Sequence, residues 1–367
     1  MIDNYLSKKL KVVSLIAIVM VVYIYAYNLT DRFLQPFTQI SDGMNLSSFF
    51  QYFVSNGVTR VAVPLFFVIS VYLFYYNLEP KRENFLAKYK SRAKTLLVPY
   101  LLCSLLSLLF LYLAQEFILS MGIQDLFPES DFTTWLVRDY GFGDYIVRIF
   151  LYPAAYQLWF ILDLMIYVIL SPLIYYYLKK SGYLGLIPFA IFWLLELNLY
   201  IINPEGILFF MLGALLVIKG IDIQKKLSKK KVNATLVLWL IILGVKTLLA
   251  YYGFPIILLL LHKIAIILGL FGLWYGYDIY VGELEDDSKL LYLTSFTFFI
   301  FLFHVPLLDF LTDIWLALLG SSPYITFLVY LVNPLLVMGV IVLLGDVLRN
   351  FLKPVYSTVT GGRGIKV

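Results

Sequence analysis

Apolar runs alternate with short polar segments along almost the whole chain. Most runs have about 15 to 25 residues, close to the length that an α-helix needs to cross the hydrocarbon core of a bilayer. The pattern predicts an all-α, polytopic membrane helix bundle of about ten transmembrane helices, forming one domain over residues 1–367. The predicted spans are 10–27, 60–76, 96–118, 158–177, 183–201, 204–218, 234–252, 254–281, 295–314 and 324–348.

Two polar connectors are long enough to have structure of their own. Residues 29–58 read as a loop that carries a short interfacial helix near 47–54. Residues 119–156 form the longest predicted loop, which is rich in acidic and aromatic side chains, and we expect it to cover a site.

The positive charges are concentrated on one side of this predicted topology. With ten spans, 22 of the 28 lysines and arginines fall in segments on the same side as the N-terminus. Cytoplasmic loops carry an excess of Lys and Arg, so both termini are predicted to be cytoplasmic. We therefore expect a multi-pass protein of the inner, cytoplasmic membrane, N-in and C-in.

The composition excludes several classes of protein. Apolar residues make up 62% of the chain and charged residues 14%, which excludes an ordinary soluble domain. The net charge of +5 is spread over short loops, so no nucleic-acid partner is expected. The single cysteine, Cys103, lies in an apolar span and allows no internal disulfide. We expect no metal site and no bound cofactor.

Polar residues inside the spans are the first candidates for a site, because they are costly in lipid. Helical spacing places Ser14, Tyr25 and Asn28 on one face of the first span. Trp159 and Asp163 share a face of the fourth span. For Asp163, a polar contact between helices is the alternative role.

Arg60 and two histidines extend the set of candidates. Arg60 opens the second span, where it faces either a polar interior or the headgroup region. The only histidines are His262 and His304. A histidine can take a proton near neutral pH, and His304 lies deep in an apolar span, so it is the preferred candidate for a catalytic base. A structural histidine bonded to a neighbouring helix is the alternative.

Five short motifs follow one another along the chain. They are Arg60-Pro64-Phe66-Phe67-Ser70-Tyr72-Leu73, then Arg92-Leu96-Leu97-Pro99-Tyr100, then Gln157-Leu158-Trp159-Phe160 with Ser171-Pro172-Leu173, then Leu208-Phe209-Phe210-Leu212-Gly213, and Phe298-Phe299-Ile300 with His304-Pro306. In this order, the five motifs resemble the integral-membrane acyltransferase family 3.

The resemblance implies a membrane O-acyltransferase, which transfers groups other than amino-acyl groups. Family members move an acyl group, commonly acetyl, from acyl-CoA on the cytoplasmic side to hydroxyls of cell-envelope glycans or related acceptors, including lipid-linked sugars. By the same resemblance, Arg60, Ser70 and Tyr100 belong to the substrate-binding region. Arg92, in a cytoplasmic basic run, is expected to hold the phosphates of acyl-CoA.

The resemblance also indicates where this chain departs from the family. Tyr25 stands where the family usually has a histidine that is regarded as the catalytic base, and Ser14 stands where many members have arginine. Val71 replaces the glycine that usually follows the serine at position 70. Two functions therefore stay open: an acyltransferase that uses Tyr25 or His304, and a non-catalytic relative that binds or transports a glycan or lipid-linked substrate.

Overall fold

The apolar segments of the chain form helices, as the pattern predicts. The computed structural model describes residues 3–31, 34–120, 136–197 and 202–365. Within these ranges the chain is helical with connecting turns and has no β-strand. Backbone amides that are kept from water must bond within the segment, and a helix does this completely, so apolar spans favour it. The all-α prediction is confirmed.

Sixteen α-helices are present in the described part of the chain. They are α1 (Asn4–Tyr25), α2 (Leu46–Ser55), α3 (Ala62–Tyr75), α4 (Arg82–Arg92), α5 (Val98–Ser120), α6 (Phe142–Phe150), α7 (Trp159–Ile169), α8 (Ser171–Ser181), α9 (Ile187–Leu194), α10 (Pro204–Ile218), α11 (Lys229–Ala250), α12 (Pro255–Tyr280), α13 (Lys289–Thr294), α14 (Thr297–Leu319), α15 (Pro323–Phe351) and α16 (Lys353–Thr360).

Several of these helices can cross a membrane by length and composition. Six helical segments in the described ranges qualify: Leu46–Tyr75, Arg82–Ser120, Lys229–Ala250, Pro255–Tyr280, Thr297–Leu319 and Pro323–Phe351. A seventh span results if Tyr156–Ile169 and Ser171–Leu194, which meet at 64°, cross together.

Two further predicted spans do not meet these requirements of length and composition. Helix α1 is long enough but carries Lys8, Lys9 and Lys11 in its first half, and α10 has 15 residues. A polytopic helical membrane protein is therefore confirmed. The count of about ten spans and the N-in, C-in orientation stay predictions.

The connector at 29–58 contains the short helix that was predicted near 47–54, but this helix has different surroundings from those expected. Its second half is α2, which continues through a short 3₁₀ turn into α3 as one segment, Leu46–Tyr75. The polar side chains of α2 are buried and bonded to other helices; Ser47 shares a 3.1 Å hydrogen bond with Thr326. These partners replace water, so the polar side chains of α2 can lie inside the bundle. Because the helical segment begins at Leu46, Arg60 lies near its middle and not at its beginning.

The long connector at 119–156 is described in part, because residues 121–135 lie outside the described ranges. Helix α6 packs along α5: the Tyr100 hydroxyl donates to the Phe150 carbonyl at 2.8 Å, and Ser104 Oγ donates to the Ile149 carbonyl at 2.9 Å. The described part of this connector therefore packs against the side of α5.

Helices α3 and α10 pack closely at Gly213. A Cβ atom on this residue would lie 2.2 Å from Val71 Cγ1 and 2.7 Å from the Val68 carbonyl oxygen. Only glycine leaves room for the α3 backbone at this point. The contact fixes the relative position of two helices whose N-terminal ends meet at the site described below.

Candidate functional site

A cavity of about 410 Å³ lies where several helix ends meet. The end of α1, the 3₁₀ turn before α3, the starts of α7 and α10, and the first half of α12 form its wall. Its polar and charged side chains are Tyr25, Gln35, Arg60, Trp159, Glu196, Asn203, Glu205 and His262. The cavity therefore brings together Tyr25, Arg60, Trp159 and His262, which the sequence analysis named as candidates, with further polar residues from distant parts of the chain.

Arg60 is held by two acceptors close to it in the chain and by a third in the connector after α1. Its Nε donates to the Ser55 carbonyl at 3.0 Å, and Nη2 donates to Asn56 Oδ1 and to the Leu34 carbonyl, the latter at 3.4 Å. The turn before α3 directs the side chain to these groups, so the guanidinium lies on the cavity wall. Its positive charge is suited to an anion or to a developing oxyanion.

Tyr25 and Trp159 meet directly, although they lie on different helices. The indole Nε1–H of Trp159 donates to the Tyr25 hydroxyl oxygen at 3.0 Å. The Tyr25 ring also makes an edge contact with Tyr156, with centroids 5.0 Å apart. Because the Tyr25 oxygen accepts from Trp159, its own O–H can point elsewhere as a donor.

Two carboxylates lie on the same wall. Glu205 Oε2 accepts a hydrogen bond from Trp193 Nε1 at 2.9 Å. Glu196 forms an ion pair with Lys263, which is almost completely buried. Glu205 follows the proline that begins α10, and an acidic residue is common in the first turn of a helix, so the sequence gives no sign of a site here. The packing of α10 against α3 brings Glu205 to the cavity that Arg60 also lines.

The two histidines have different surroundings. His262 lines the cavity, and its ring lies 6.4 Å from that of Phe37. His304 is fully buried beside Tyr25, with ring centroids 5.6 Å apart. Its Nδ1 lies 3.0 and 2.9 Å from the backbone carbonyls of Ile300 and Phe301, and Nε2 has no partner among the described residues. His304 does not line the cavity.

Other predicted site residues lie outside the cavity wall. Asn28 donates to the Thr326 carbonyl at 3.1 Å and accepts from Gln51 at 2.8 Å, so it ties α2 and α15 to the end of α1. Asp163 accepts from Tyr167, one turn along the same helix, at 3.4 Å. Asn28 therefore holds helices together, whereas the hydrogen bond of Asp163 lies within α7.

The remaining predicted residues are also placed elsewhere. Tyr100 bonds to α6, as described above. Ser14 and Ser70 are half-buried on α1 and α3, and neither belongs to the cavity wall.

A second cationic region lies near the other end of α3. The Arg92 guanidinium lies 5.9 Å from the ring of Phe74. Phe74 follows Arg60 by 14 residues, which corresponds to about 20 Å along a helix that rises 1.5 Å per residue. Arg363 donates to the Thr95 carbonyl at 2.6 Å and stacks over Phe298 at 4.0 Å.

The positive charge of Arg92 affects the pKa of Arg363. Burial and the nearby charge of Arg92 lower the pKa of Arg363 to about 10. No carboxylate pairs with either arginine in the part of the chain that the structure describes. Two close cations without an acid favour the binding of an anion.

Comparison with known proteins identifies the family. A family model described as "Acyltransferase domain" matches residues 9–348. The chain belongs to this acyltransferase family. The chain is also similar to the succinoglycan biosynthesis protein ExoH of Rhizobium meliloti (strain 1021), with 25% identity over 314 residues that cover 85% of this chain and 81% of that protein. No solved structure matches the chain.

The match confirms the family resemblance seen in the five motifs. The acyltransferase domain includes every residue of the cavity wall, and it also includes Arg92. The matched region ends at residue 348, before Arg363. Arg363 belongs to the C-terminal segment after α15 and forms part of the second cationic region. A multi-pass membrane protein of an acyltransferase family is thus established.

Proposed function

We propose that this protein is an O-acyltransferase of the cytoplasmic membrane that moves an acetyl group from acetyl-CoA to a hydroxyl of a cell-surface glycan or a lipid-linked sugar. The observation that carries the proposal is the cavity, in which Arg60, Tyr25 and Trp159 meet inside an acyltransferase domain. Its volume of about 410 Å³ falls within the range of small-molecule sites, about 300–1,000 Å³. Similarity to a protein named for succinoglycan biosynthesis supports a glycan acceptor.

The cavity wall supplies the donors that acyl transfer needs. When a hydroxyl attacks a thioester carbonyl, negative charge develops on the carbonyl oxygen, and positioned donors lower the barrier. The Arg60 guanidinium and the Tyr25 hydroxyl, which Trp159 orients, are the proposed donors. The acceptor sugar hydroxyl occupies the same cavity.

The second cationic region is the proposed site for the phosphates of the donor. Arg92 and Arg363 lie close together and have no acidic partner among the described residues, so their positive charges are available to an anion. This region lies about 20 Å along α3 from Arg60, so the acyl end of the donor must reach from the phosphate site into the cavity. Acyl-CoA has its acyl group at the end of an extended arm, which suits such a separation.

Tyr25 and His304 are the catalytic candidates that the sequence indicates. If the base acts from the position of Tyr25, then Tyr25→His should raise acyl transfer, since a positioned base contributes about 10²–10⁴-fold. If His304 is the base, then His304→Ala should abolish transfer and Tyr25→His should change little.

The experiment that tests the proposed function is a transfer assay with purified protein in nanodiscs. Radiolabelled acetyl-CoA is supplied together with succinoglycan oligosaccharides and other envelope glycans, and label on the glycan is measured. We expect transfer by the native protein and a loss of about 10²–10³-fold in Arg60→Gln, because one oxyanion donor is removed. Glycan binding without transfer from any acyl-CoA would instead support the non-catalytic relative.

A further inference from the structure

We propose that His262 is the catalytic residue that takes the proton from the acceptor hydroxyl; this inference rests on the proposed function. Acyl transfer to a hydroxyl needs a proton acceptor within hydrogen-bond reach of the reacting oxygen. The chain has two histidines, and the structure places His262 on the wall of the cavity that Arg60 and Tyr25 also line.

The alternatives to His262 are less suited by geometry. His304 is fully buried beside Tyr25 and is not among the residues that line the cavity. The Tyr25 oxygen accepts the Trp159 N–H, which leaves the phenol as a donor. A phenol, with an ordinary pKa of about 10, is also almost fully protonated at neutral pH, so little of the proton-accepting phenolate is present.

The surroundings of His262 fix its position on the wall. The next residue, Lys263, pairs with Glu196 after α9. Successive side chains on a helix point about 100° apart, so this ion pair sets the rotation of α12 and keeps His262 directed at the cavity. Phe37 packs near the ring from the connector after α1. Lys263 and Glu196 are therefore positioning residues for His262.

Several charged and titratable groups surround the imidazole and will influence its protonation. They are Tyr25 on α1, Arg60 before α3, Glu196 after α9, Glu205 on α10, Lys246 on α11, and Lys263 on α12.

The proposed step balances as follows. The acceptor oxygen forms a bond to the thioester carbonyl carbon while its proton moves to a ring nitrogen of His262. The carbonyl oxygen carries the negative charge near Arg60. The carbon–sulfur bond then breaks, and the leaving thiolate takes the proton from His262, so that the products are the acylated acceptor and a free thiol.

The first test compares histidine variants in the acetyl-CoA transfer assay. His262→Gln should lower kcat by about 10²–10⁴-fold with KM retained, and its kcat should lose the fall at low pH that protonation of a base produces. Tyr280→Phe, at the exposed end of the same helix, serves as the control for preparation and folding. The assignment is overturned if His262→Gln keeps the native kcat, if its loss lies in KM alone, or if His304→Gln loses more kcat.

A second test does not depend on activity. Because the chain has two histidines, carbethoxylation by diethylpyrocarbonate followed by peptide mass mapping reports each one separately. We expect His262 to react, because it faces the cavity, and His304 to be protected; the reverse result overturns the assignment. A native protein without transfer would overturn the proposed function and the base assignment with it, whereas an active His262→Gln would overturn the base assignment alone.

Discussion

The contact between α3 and α10 at Gly213 predicts the effect of adding a single methyl group. In Gly213→Ala the new Cβ would lie 2.7 Å from the carbonyl oxygen and 3.0 Å from the Cα of Val68, where ordinary contact begins at 3.4 Å. These are backbone atoms, which cannot move away by a change of rotamer. The two helices must therefore separate.

A second glycine allows the cost to be isolated. Gly244, on α11, has no atom within 4 Å of the place that a Cβ would take, so Gly244→Ala brings no steric clash. Both substitutions gain the same helix propensity, about 1 kcal/mol, which cancels in the comparison. The remaining difference is the cost of overpacking, about 1–3 kcal/mol. We expect Gly213→Ala to be less stable than Gly244→Ala by that amount.

The assay is reversible unfolding in mixed micelles with increasing SDS, followed by tryptophan fluorescence. Transfer activity is measured in parallel, because α3 follows the turn that carries Arg60 and α10 carries Glu205. Separation of these helices should lower activity as well as the free energy of unfolding. If the two alanine variants have the same free energy of unfolding, the packing argument for Gly213 is refuted.

Three other predictions concern single contacts. Trp159→Phe removes the hydrogen bond to Tyr25 and should lower kcat/KM by up to about tenfold, since such a bond contributes about 0.5–1.5 kcal/mol. Lys9→Met breaks the buried 2.8 Å ion pair with Asp278 and should lower the free energy of unfolding by about 3–5 kcal/mol in the same micelle assay. Arg92→Ala should weaken acetyl-CoA binding about 10- to 100-fold in calorimetry, if it holds a phosphate.

Each of these has a control. In Trp159→Phe combined with Tyr25→Phe, the two losses should not add, and full additivity would contradict the hydrogen bond. Lys9→Met combined with Asp278→Leu should recover most of the stability, because neither charge is then left buried alone. Lys90→Ala changes an exposed neighbour of Arg92 and should bind acetyl-CoA normally; an equal loss in both would indicate a general charge effect.

The structure confirms some of the predictions made from the sequence and places several of the predicted site residues away from the cavity. The apolar spans and the five motifs predicted a helical membrane protein of the acyltransferase family, and both are confirmed. Of the residues that the spacing within single helices grouped by face, Tyr25 and Trp159 line one cavity, together with Arg60. By contrast, Asn28 and Asp163 lie outside the cavity wall: Asn28 bonds to other helices, and Asp163 accepts a hydrogen bond within its own helix.

The properties that the sequence determines by itself are those of single helices. An apolar run of sufficient length must form a helix in lipid, because its backbone has no other hydrogen-bond partners. The periodicity of that helix then decides which side chains share a face. This information predicts the fold class, which is confirmed, and it indicates the candidate residues on α1 and α7.

Only the tertiary structure decided which faces meet. The polar helix α2 reads as interfacial in the sequence, but Thr326 and other partners on distant helices satisfy it inside the bundle. Glu205 and His262 reach the cavity through the packing of α10 and α12, while His304, deeper in an apolar span, is turned to its own backbone. A helix has the same periodicity whatever lies beside it, so the neighbours that complete a site follow from the packing of the whole bundle.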